Sequence, residues 1–389
     1  MSLTVRVALV GAGYAGQSHA FGYRNASMAD DLHGVKVVLD TVVDPNIELA
    51  KDVAGKYGFE KYATDMGEVL ADPEIDAVSL ALPNKLYSTV VPQVLAAGKH
   101  VFCEKPLGLD AAEAAAMADQ ADASGLINAV GFSFRRIPAL AQLSKIVAEG
   151  VLGEIHSFRA HYYADYAADP RQPLTWRYIM KDSGGGAVAD IGAHAIDTVR
   201  YVVGDIAEVC AAQLSTVIKE RPLPAGGIGH SQKASETESG PVENDDDAIL
   251  TLRTAAGAVG SVTLSRIAEG VPNDLGIEVF GSKGHARFSS ATGDQLVVYE
   301  TGVSEPGMDG ARTIVAGPAF PYFGDTAAMP GRGVGTGYGE AFAAEIQEFV
   351  RALAKNGTVT TPFREAVPTM RVIAAALESS AAAKPVSIV

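Results

Sequence analysis

A lysine stands at the end of a pronounced strand pattern. His100 and the apolar residues 101–103 are followed by Glu104, Lys105 and Pro106. Proline disfavours the helical region for the residue before it, so we expect Lys105 to be extended. A lysine there can donate a hydrogen bond to a substrate hydroxyl and stabilise the alkoxide as negative charge develops. Taken alone, a surface lysine that follows a strand explains the pattern equally well.

A second group of polar residues lies on one predicted helix, behind a glycine-rich entry at 184–186. Asp190, His194 and Asp197 are spaced i, i+4, i+7 and therefore share one helix face. A carboxylate beside a histidine holds the imidazole in one tautomer and tunes its pKa. Such a histidine can accept a hydroxyl proton while hydride leaves the same carbon. The alternatives are a surface ion pair and a metal pair, for which no third ligand is evident.

An apolar run near the amino terminus ends in a glycine turn. Gly11, Gly13 and Gly16 have the G-x-G-x-x-G spacing of a dinucleotide-binding turn. The first glycine permits the tight turn, the second lets the backbone approach a pyrophosphate, and the third lets helix and strand pack closely. The helix that follows the turn directs N–H groups and a positive dipole end at the phosphates. A structural glycine turn is the alternative.

An acid closes the next predicted strand. Asp44 follows the apolar run 37–43 and precedes Pro45. In a dinucleotide-binding fold, an acid at this point binds the adenosine ribose hydroxyls. A turn-initiating aspartate before proline is the alternative. Lys51 is the first basic residue after Asp44, so nothing nearer could bind a 2′-phosphate, which favours NAD over NADP.

Strand patterns alternate with helix patterns in the first third of the chain. The strands are predicted at 5–10, 37–43, 77–82, 100–104 and 127–131, and the helices at 17–25, 46–57, 66–71, 86–97 and 110–124, with a loop at 26–36. This alternation predicts an α/β fold with a doubly wound parallel sheet. Ligands bind at the carboxyl ends of such strands, where Asn84, Glu104 and Lys105 fall.

The pattern changes after about residue 133. Strand-like alternations recur at 155–163, 206–218, 247–254, 258–267, 275–281 and 284–289. We therefore predict a Rossmann domain over residues 1–133 and an α+β domain with a large, mostly antiparallel open sheet over residues 134–389. Two long loops are predicted at 221–247 and 302–339. Asp245, Asp246 and Asp247 in the first loop are interpreted as a solvated charge run rather than a metal site.

The composition is that of a globular protein, with 48% hydrophobic and 20% charged residues. The net charge of −15 argues against nucleic acid or an anionic membrane as a partner. Cys103 and Cys210 have no zinc-site spacing, and they predict thiols in a reducing cytoplasm. We find no signal-peptide pattern, no membrane-length apolar run and no metal site.

Several motifs occur together and in order. They are the glycine turn, Leu82-Pro83-Asn84, Glu104-Lys105-Pro106, Phe134-Arg135-Arg136-Ile137-Pro138 and Asp190-x-Gly-x-His194. Together they resemble the Gfo/Idh/MocA oxidoreductase family over residues 5 to about 204. Gly153-Glu154-Ile155 and Trp176-Arg177 further resemble its inositol dehydrogenase and levoglucosan dehydrogenase-like branch. Tyr87 departs from the pattern, because the family often has a histidine there.

The resemblance implies an NAD-dependent dehydrogenase of a sugar, anhydrosugar or cyclitol that forms a homodimer or homotetramer. It implies Lys105, Asp190 and His194 as the catalytic set, with His194 as proton acceptor and Asp190 orienting the substrate. The implied cofactor contacts are Gly11, Gly13, Tyr14, Ala15, Gly16, Asp44, Leu82, Pro83, Asn84, Glu104, Lys105, Arg135, Trp176 and Arg177. The implied sugar-facing residues are Tyr163, Asp165, Asp190 and His194, together with Trp176 and Arg177. A nucleotide-binding sensor of the same fold without turnover is the alternative from another class, and the intact lysine, aspartate and histidine argue against it.

Overall fold

The structure is a computed structural model that describes residues 3–226, 233–303, 305, 307–329 and 331–388. It divides into two compact units. Residues 3–133 and Tyr338–Val367 form the first unit, and Phe134–Gly226, Lys233–Gly337 and residues 368–388 form the second. No helix within these described ranges is both long enough and apolar enough to cross a membrane.

The first unit is built on a six-stranded sheet. Its strands are β1 (Leu3–Val10), β2 (Val35–Val43), β3 (Lys61–Ala63), β4 (Ala77–Leu80), β5 (His100–Glu104) and β6 (Asn128–Gly131). The strand order is β3-β2-β1-β4-β5-β6, and every neighbouring pair is parallel. The predicted doubly wound parallel sheet is confirmed. The strand order reverses between β1 and β4, which is where a ligand crevice opens in such sheets.

Helices connect these strands and begin and end at recognisable capping residues. They are α1 (Tyr14–Arg24), α2 (Ile47–Tyr57), α3 (Gly67–Ala71), α4 (Tyr87–Ala96) and α5 (Ala111–Ser124). The Asn46 side chain accepts a hydrogen bond from the Leu49 N–H at the start of α2, and Asp110 caps α5. Gly58 and Gly125 end these two helices in the left-handed conformation.

The second unit is built on a nine-stranded sheet and a separate hairpin. Its strands are β7 (Ile155–Ala164), β8 (Ile206–Ser215), β9 (Glu220–Pro224), β10 (Ala234–Pro241), β11 (Asp247–Thr254), β12 (Val259–Ser265), β13 (Asn273–Gly281), β14 (Gly284–Ser289), β15 (Gln295–Glu300), β16 (Arg312–Val315) and β17 (Val386–Ser387). The order is β16-β15-β14-β13-β7-β12-β11-β8-β17, antiparallel except between β7 and β12. The mostly antiparallel sheet is confirmed.

Among the described residues, six further α-helices follow β6. They are α6 (Pro138–Ala148), α7 (Met180–Ser183), α8 (Ile191–Val203), α9 (Phe323–Thr326), α10 (Tyr338–Lys355) and α11 (Phe363–Ala382). Helix α8 packs closely on the nine-stranded sheet, because a Cβ at Gly192 would lie 2.8 Å from the Leu264 side chain of β12. The glycine therefore sets how near α8 approaches the strands.

Helix α10 comes late in the chain but belongs to the first unit. Phe349 meets Phe102 of β5 edge-on, with 5.5 Å between the ring centroids. A Cβ at Gly22 of α1 would lie 2.7 Å from Ile346, so the two helices cross in close contact. Residues more than 300 positions apart in the chain thus complete one apolar core.

Both predicted long loops contain regular structure, so these two predictions were wrong. The segment 221–247 contributes the β9–β10 hairpin, and the segment 302–339 contributes β16 and α9. Residues 227–232, 304, 306 and 330 of these segments lie outside the described residues. Strand β9 lacks an alternating apolar pattern because a fully buried arginine anchors it. The Arg221 guanidinium donates to the Ala167 and Asp169 carbonyls and lies over the Tyr178 ring.

The interpretation of the three consecutive aspartates as a solvated run was also wrong. Asp245 and Asp246 are buried. Asp245 accepts hydrogen bonds from the Gly186 and Val188 N–H groups at 2.9 and 2.8 Å, and Asp246 pairs with the buried Arg266 at 2.9 Å. Buried carboxylates need such donors, and here they tie the strand β11 to the glycine-rich entry of α8.

Candidate active site

The glycine turn of the first unit has the backbone geometry that its spacing predicts. Gly11 has a φ of +99°, and a Cβ there would lie 2.2 Å from the Ala81 carbonyl oxygen. A Cβ at Gly16 would lie 1.9 Å from the Gly11 carbonyl oxygen. Any side chain at either position would force the turn apart. The turn therefore lies directly against the carboxyl end of β4.

The helix α1 begins immediately after this turn. Gly13 is its N-cap residue, and Tyr14, which is 66% exposed, is the first helical residue. The first N–H groups of a helix have no carbonyl partner within it, and they carry its positive dipole end. This glycine-lined helix terminus fits the pyrophosphate of a dinucleotide.

Asp44 holds the turn from the end of β2. Its Oδ2 accepts a hydrogen bond from the Ala12 N–H at 2.9 Å, and its Oδ1 accepts one from the Asn46 N–H at 2.9 Å. The side chain is 9% exposed. A carboxylate has further lone pairs, so these two bonds are compatible with a ribose hydroxyl as an additional donor. The bond from the Asn46 N–H is the turn-initiating contact that the sequence offered as the alternative role of Asp44.

The segment after β4 is held by the residue that departs from the family pattern. The hydroxyl of the buried Tyr87 accepts a hydrogen bond from the Leu82 N–H at 3.1 Å. Pro83 precedes a single 3₁₀ turn that begins at the buried Asn84. Tyr87 thus fixes the backbone path of the three predicted cofactor contacts.

Glu104 and Lys105 lie at the same edge of the sheet as the glycine turn. Val10 is paired with Leu80, and Leu80 is paired with Cys103, so the residues that follow them end at one level. Glu104 Oε2 accepts a hydrogen bond from the Lys105 N–H at 3.1 Å. The first unit therefore carries the predicted cofactor turn, the ribose acid and the candidate catalytic lysine along one edge.

The other two candidate catalytic residues lie on α8 of the second unit. Asp190 is the N-cap residue of α8 rather than a residue within it, and His194 follows one turn later. The His194 side chain is buried, with its ring edge-on to Phe134 at 5.0 Å and tilted against Tyr162 at 6.1 Å. These two aromatic rings fix the plane of the imidazole.

Tyr166 binds Asp190, a contact that the sequence reasoning missed. The Tyr166 hydroxyl donates a hydrogen bond to Asp190 Oδ2 at 2.8 Å. Arg177 Nε lies 3.8 Å from the same oxygen, and its guanidinium stacks over the Trp176 ring at 4.5 Å. Burial, reinforced by the charge of Asp190, raises the pKa of Tyr166 well above its usual value, so the phenol keeps its proton as a donor.

The two adjacent tyrosines of β7 point to opposite faces of the sheet. Tyr162 lies on the buried face, where its ring meets His194, whereas Tyr163 stacks on His161 at 4.8 Å. Side chains alternate along a strand, so the structure does not bring Tyr163 beside His194. Asp165 follows directly after β7.

Arg135 and Asp197 form a buried pair in the second unit. Arg135 Nε and Nη2 donate to the two Asp197 carboxylate oxygens at 2.7 and 2.5 Å. Asp197 therefore holds the segment before α6 to α8. The sequence pattern predicted Asp197 on the same helix face as His194, and the family resemblance placed Arg135 near the cofactor. Nothing in the spacing indicated that Arg135 and Asp197 bind each other.

Comparison with known proteins identifies the chain. Residues 5–132 match the model for an oxidoreductase family with an NAD-binding Rossmann fold, named GFO_IDH_MocA, and residues 140–287 match its GFO/IDH/MocA C-terminal domain model. Levoglucosan dehydrogenase of Pseudarthrobacter phenanthrenivorans is 36% identical over 97% of this chain and 96% of that protein. The chain belongs to the Gfo/Idh/MocA oxidoreductase family.

Two further relatives agree with this assignment. Myo-inositol 2-dehydrogenase of Thermotoga maritima is 31% identical over 72% of this chain and 74% of that protein. A solved structure of levoglucosan dehydrogenase in complex with NADH and L-sorbose has a TM-score of 0.92 at 35% identity, covering 100% of this chain and 99% of that one. This Gfo/Idh/MocA protein is thus an NAD-binding dehydrogenase that acts on CH–OH groups, of the sugar and cyclitol dehydrogenase type. The predicted family, enzyme class and cofactor are confirmed.

Proposed function

We propose that this dehydrogenase oxidises a secondary hydroxyl of a sugar, anhydrosugar or cyclitol, with Lys105, Asp190 and His194 as its catalytic residues. The observation that carries the proposal is the position of Asp190 at the N-cap of α8 and of His194 one turn later, where the imidazole is buried against two aromatic rings. The similarity over the full length to levoglucosan dehydrogenase supports the substrate class.

Each catalytic residue has a distinct role in the proposal. His194 accepts the proton of the reacting hydroxyl, as a general base held in one plane by Phe134 and Tyr162. Asp190, itself held by Tyr166, accepts a hydrogen bond from the substrate and orients it. Lys105 donates a hydrogen bond to the oxygen on which negative charge develops. When bound, NAD supplies the hydride acceptor.

Cofactor binding is assigned to the edge of the first unit. Gly13, Tyr14, Ala15 and Gly16 at the start of α1 would receive the pyrophosphate. Asp44 would bind the ribose while it holds the turn. The other proposed contacts in this unit are Gly11, Leu82, Pro83, Asn84 and Glu104.

The sugar-facing wall is assigned to Trp176, Arg177 and Asp165 as well as to the catalytic pair. An indole face backed by a guanidinium suits the apolar face of a sugar ring, and the charge at Arg177 suits its hydroxyl groups. Tyr163 is left out of this set because its ring lies on the opposite face of β7 from His194.

A substrate panel tests this function. The purified protein is given NAD and, one at a time, inositol isomers, levoglucosan, aldoses and ketoses, and the absorbance of NADH is followed. We expect turnover with at least one of them, at a lower rate with NADP. A protein that binds NADH, as measured by quenching of its tryptophan fluorescence, but turns over none of the panel would support the sensor alternative instead.

We also propose that the protein forms a homodimer or homotetramer through the open face of the nine-stranded sheet. On β11, the buried residues Ala248, Leu250 and Leu252 alternate with Ile249, which is 56% exposed. The resemblance to the family implies a subunit contact on this open sheet, and Ile249 lies on its exposed face. Light scattering should give an oligomer mass, which Ile249→Lys should lower to that of the monomer.

We place this activity in the cytoplasm. Cys103 and Cys210 are both free thiols, and burial raises the pKa of the Cys103 thiol well above its usual value. Proteins of reducing compartments keep such thiols unpaired. Fractionation of the source cells would test this, and recovery outside the cytoplasm would contradict it.

A further inference from the structure

A chain of buried polar groups runs through the first unit and ends at the backbone of Lys105. His19, on α1, is completely buried. Its Nδ1 lies 2.9 Å from the hydroxyl of Ser79 on β4, and its Nε2 lies 3.0 Å from Glu104 Oε1 on β5. The other oxygen of Glu104 accepts the Lys105 N–H. Three elements of the unit thus converge on one carboxylate.

The donors in this chain follow one direction. A carboxylate oxygen accepts hydrogen bonds, so the contact with Glu104 is made by the His19 tautomer that carries its proton on Nε2. Nδ1 is then the acceptor, and the Ser79 hydroxyl donates to it. Hydrogen bonds that point the same way polarise one another and hold their members in place more firmly than separate bonds would.

Packing leaves these groups little room to move. The His19 ring meets Phe102 edge-on at 5.0 Å and is tilted against Phe342 of α10 at 6.1 Å. A Cβ at Gly131 of β6 would lie 2.8 Å from Glu104 Oε1, so the glycine makes the space that the carboxylate occupies. The position of Glu104 is therefore determined from several sides.

The serine, histidine and glutamate occur in the order of a hydrolytic triad, but burial excludes that chemistry. Ser79 and His19 are both 0% exposed, so no substrate carbonyl can reach the serine oxygen. The series of hydrogen bonds ends at the main-chain N–H of Lys105. What the chain can do is fix the backbone from which the lysine side chain extends.

We propose that His19 is a positioning residue for Lys105 and acts through Glu104. The proposal rests on the catalytic role assigned to Lys105. A catalytic group displaced by about 1 Å can lose about 100-fold in rate. Loss of the His19 hydrogen bond would release Glu104 Oε1 and with it the carboxylate that anchors the Lys105 N–H.

The activity test compares three variants at the first substrate found in the panel. His19→Leu removes both hydrogen bonds and fills the buried space with an apolar side chain. We expect its kcat to fall at least about 10-fold with little change in the KM for NAD. His19→Gln keeps an N–H donor close to the position of Nε2, and it should recover most of that loss. Phe349→Leu loosens the apolar core around Phe102 while it leaves the polar groups and the two rings that pack on His19 in place, and its kcat should stay near that of the wild type.

Two outcomes of this test would overturn the proposal. One is equal kcat in His19→Leu and the wild type. The other is an equal loss in His19→Leu, His19→Gln and Phe349→Leu, which would reduce the effect to packing. Should His19→Leu not fold, Ser79→Ala removes the start of the chain, and the same comparison applies with a smaller expected loss of kcat.

A second measurement does not depend on turnover and separates this proposal from the proposed function. Amide hydrogen exchange of a peptide spanning residues 100–108 should be faster in His19→Leu than in the wild type, and unchanged in His19→Gln. If exchange is faster in His19→Leu but the protein turns over no polyol, the positioning of Lys105 by His19 would stand. Only the catalytic role proposed for Lys105 would then be removed. Unchanged exchange in His19→Leu would overturn the proposal that His19 holds the Lys105 backbone through Glu104.

Elemental analysis provides a further check. His19, Glu104 and Glu345 present ligand atoms within 4.8 Å of one another, which is close enough for a divalent metal ion. A metal on Nε2 would take the place of the hydrogen bond to Glu104. We expect no stoichiometric metal in the purified protein. A metal that is present in the wild type and lost in His19→Leu would overturn the assignment.

Discussion

Tyr166 donates a hydrogen bond to Asp190 Oδ2 across 2.8 Å, and both residues belong to the second unit. The bond restrains the carboxylate that we propose as the substrate-orienting group. Tyr166→Phe removes the donor and keeps the ring, so we expect kcat to fall about 10-fold, because hydrogen bonds to charged groups contribute about 1.5–3 kcal/mol. The KM for NAD should not change.

Tyr163, three residues before Tyr166, offers a matched comparison for this variant. Tyr163 lies on the opposite face of β7, where it stacks on His161. Tyr163→Phe should therefore leave kcat and the sugar KM unchanged. A loss of activity in Tyr163→Phe that equals the loss in Tyr166→Phe would restore the sugar-facing role predicted from the sequence.

Removal of the proposed catalytic groups should abolish turnover without abolishing cofactor binding. Lys105→Ala and His194→Ala should each lower kcat at least about 100-fold, the lower end of the range for general acid–base catalysis. Both variants should still bind NADH by fluorescence titration. Lys51→Ala, at an exposed lysine of α2, is the control. Near-normal kcat in a folded His194→Ala protein would remove the histidine from the mechanism.

The carboxylate of Asp44 should matter mainly to the cofactor. Asp44→Ala removes the acceptor for the Ala12 and Asn46 N–H groups and the proposed ribose ligand together. We expect the KM for NAD to rise at least about 10-fold, consistent with the loss of about 1.5–3 kcal/mol for a hydrogen bond to a charged group. The KM for the sugar should change much less, and Asp52→Ala on the exposed side of α2 should change neither. Equal increases in both KM values would contradict the ribose role.

The buried aspartates at the start of β11 predict a difference in stability between neighbours. Asp245→Ala leaves the Gly186 and Val188 N–H groups buried without their acceptor, which should lower the free energy of unfolding by about 3 kcal/mol. Asp247→Ala, two positions along and half-buried, should lower it by less than about 1 kcal/mol. Urea unfolding of the two variants measures this, and equal values would mean that Asp245 is not the anchor of the glycine-rich entry.

The buried phenol of Tyr166 predicts how stability depends on high pH. Its pKa is raised in the folded protein by burial and by Asp190, and in the unfolded chain it returns to about 10. The folded state therefore binds the proton more tightly, and this contribution is complete below about pH 10 and is lost as the pH rises above it. Urea unfolding between pH 8 and 11 should show this decline, and it should be shallower in Tyr166→Phe. Parallel declines in the two proteins would contradict it.

The sequence by itself determined the features that depend on local geometry. The positive φ at Gly11 and the close approach at Gly16 follow from residue type and spacing, so the cofactor turn could be found without coordinates. The alternation of strand and helix patterns likewise determined the parallel sheet, because a buried strand and an amphipathic helix have different apolar periods. Asp44, Asn84 and Lys105 could be assigned to one edge, since parallel strands all end on the same side.

Tertiary structure decided which distant residues meet. Tyr162, and not Tyr163, faces His194 because side chains alternate between the two faces of β7, and a shift of one residue would invert that phase. Asp245 and Asp246 are buried because N–H groups of the segment before α8 and the guanidinium of Arg266, which follows β12, donate to them. Three consecutive aspartates in a sequence do not reveal those partners. In the same way, residues 338–367 pack with the first unit through contacts such as that between Phe349 and Phe102, which no local pattern encodes.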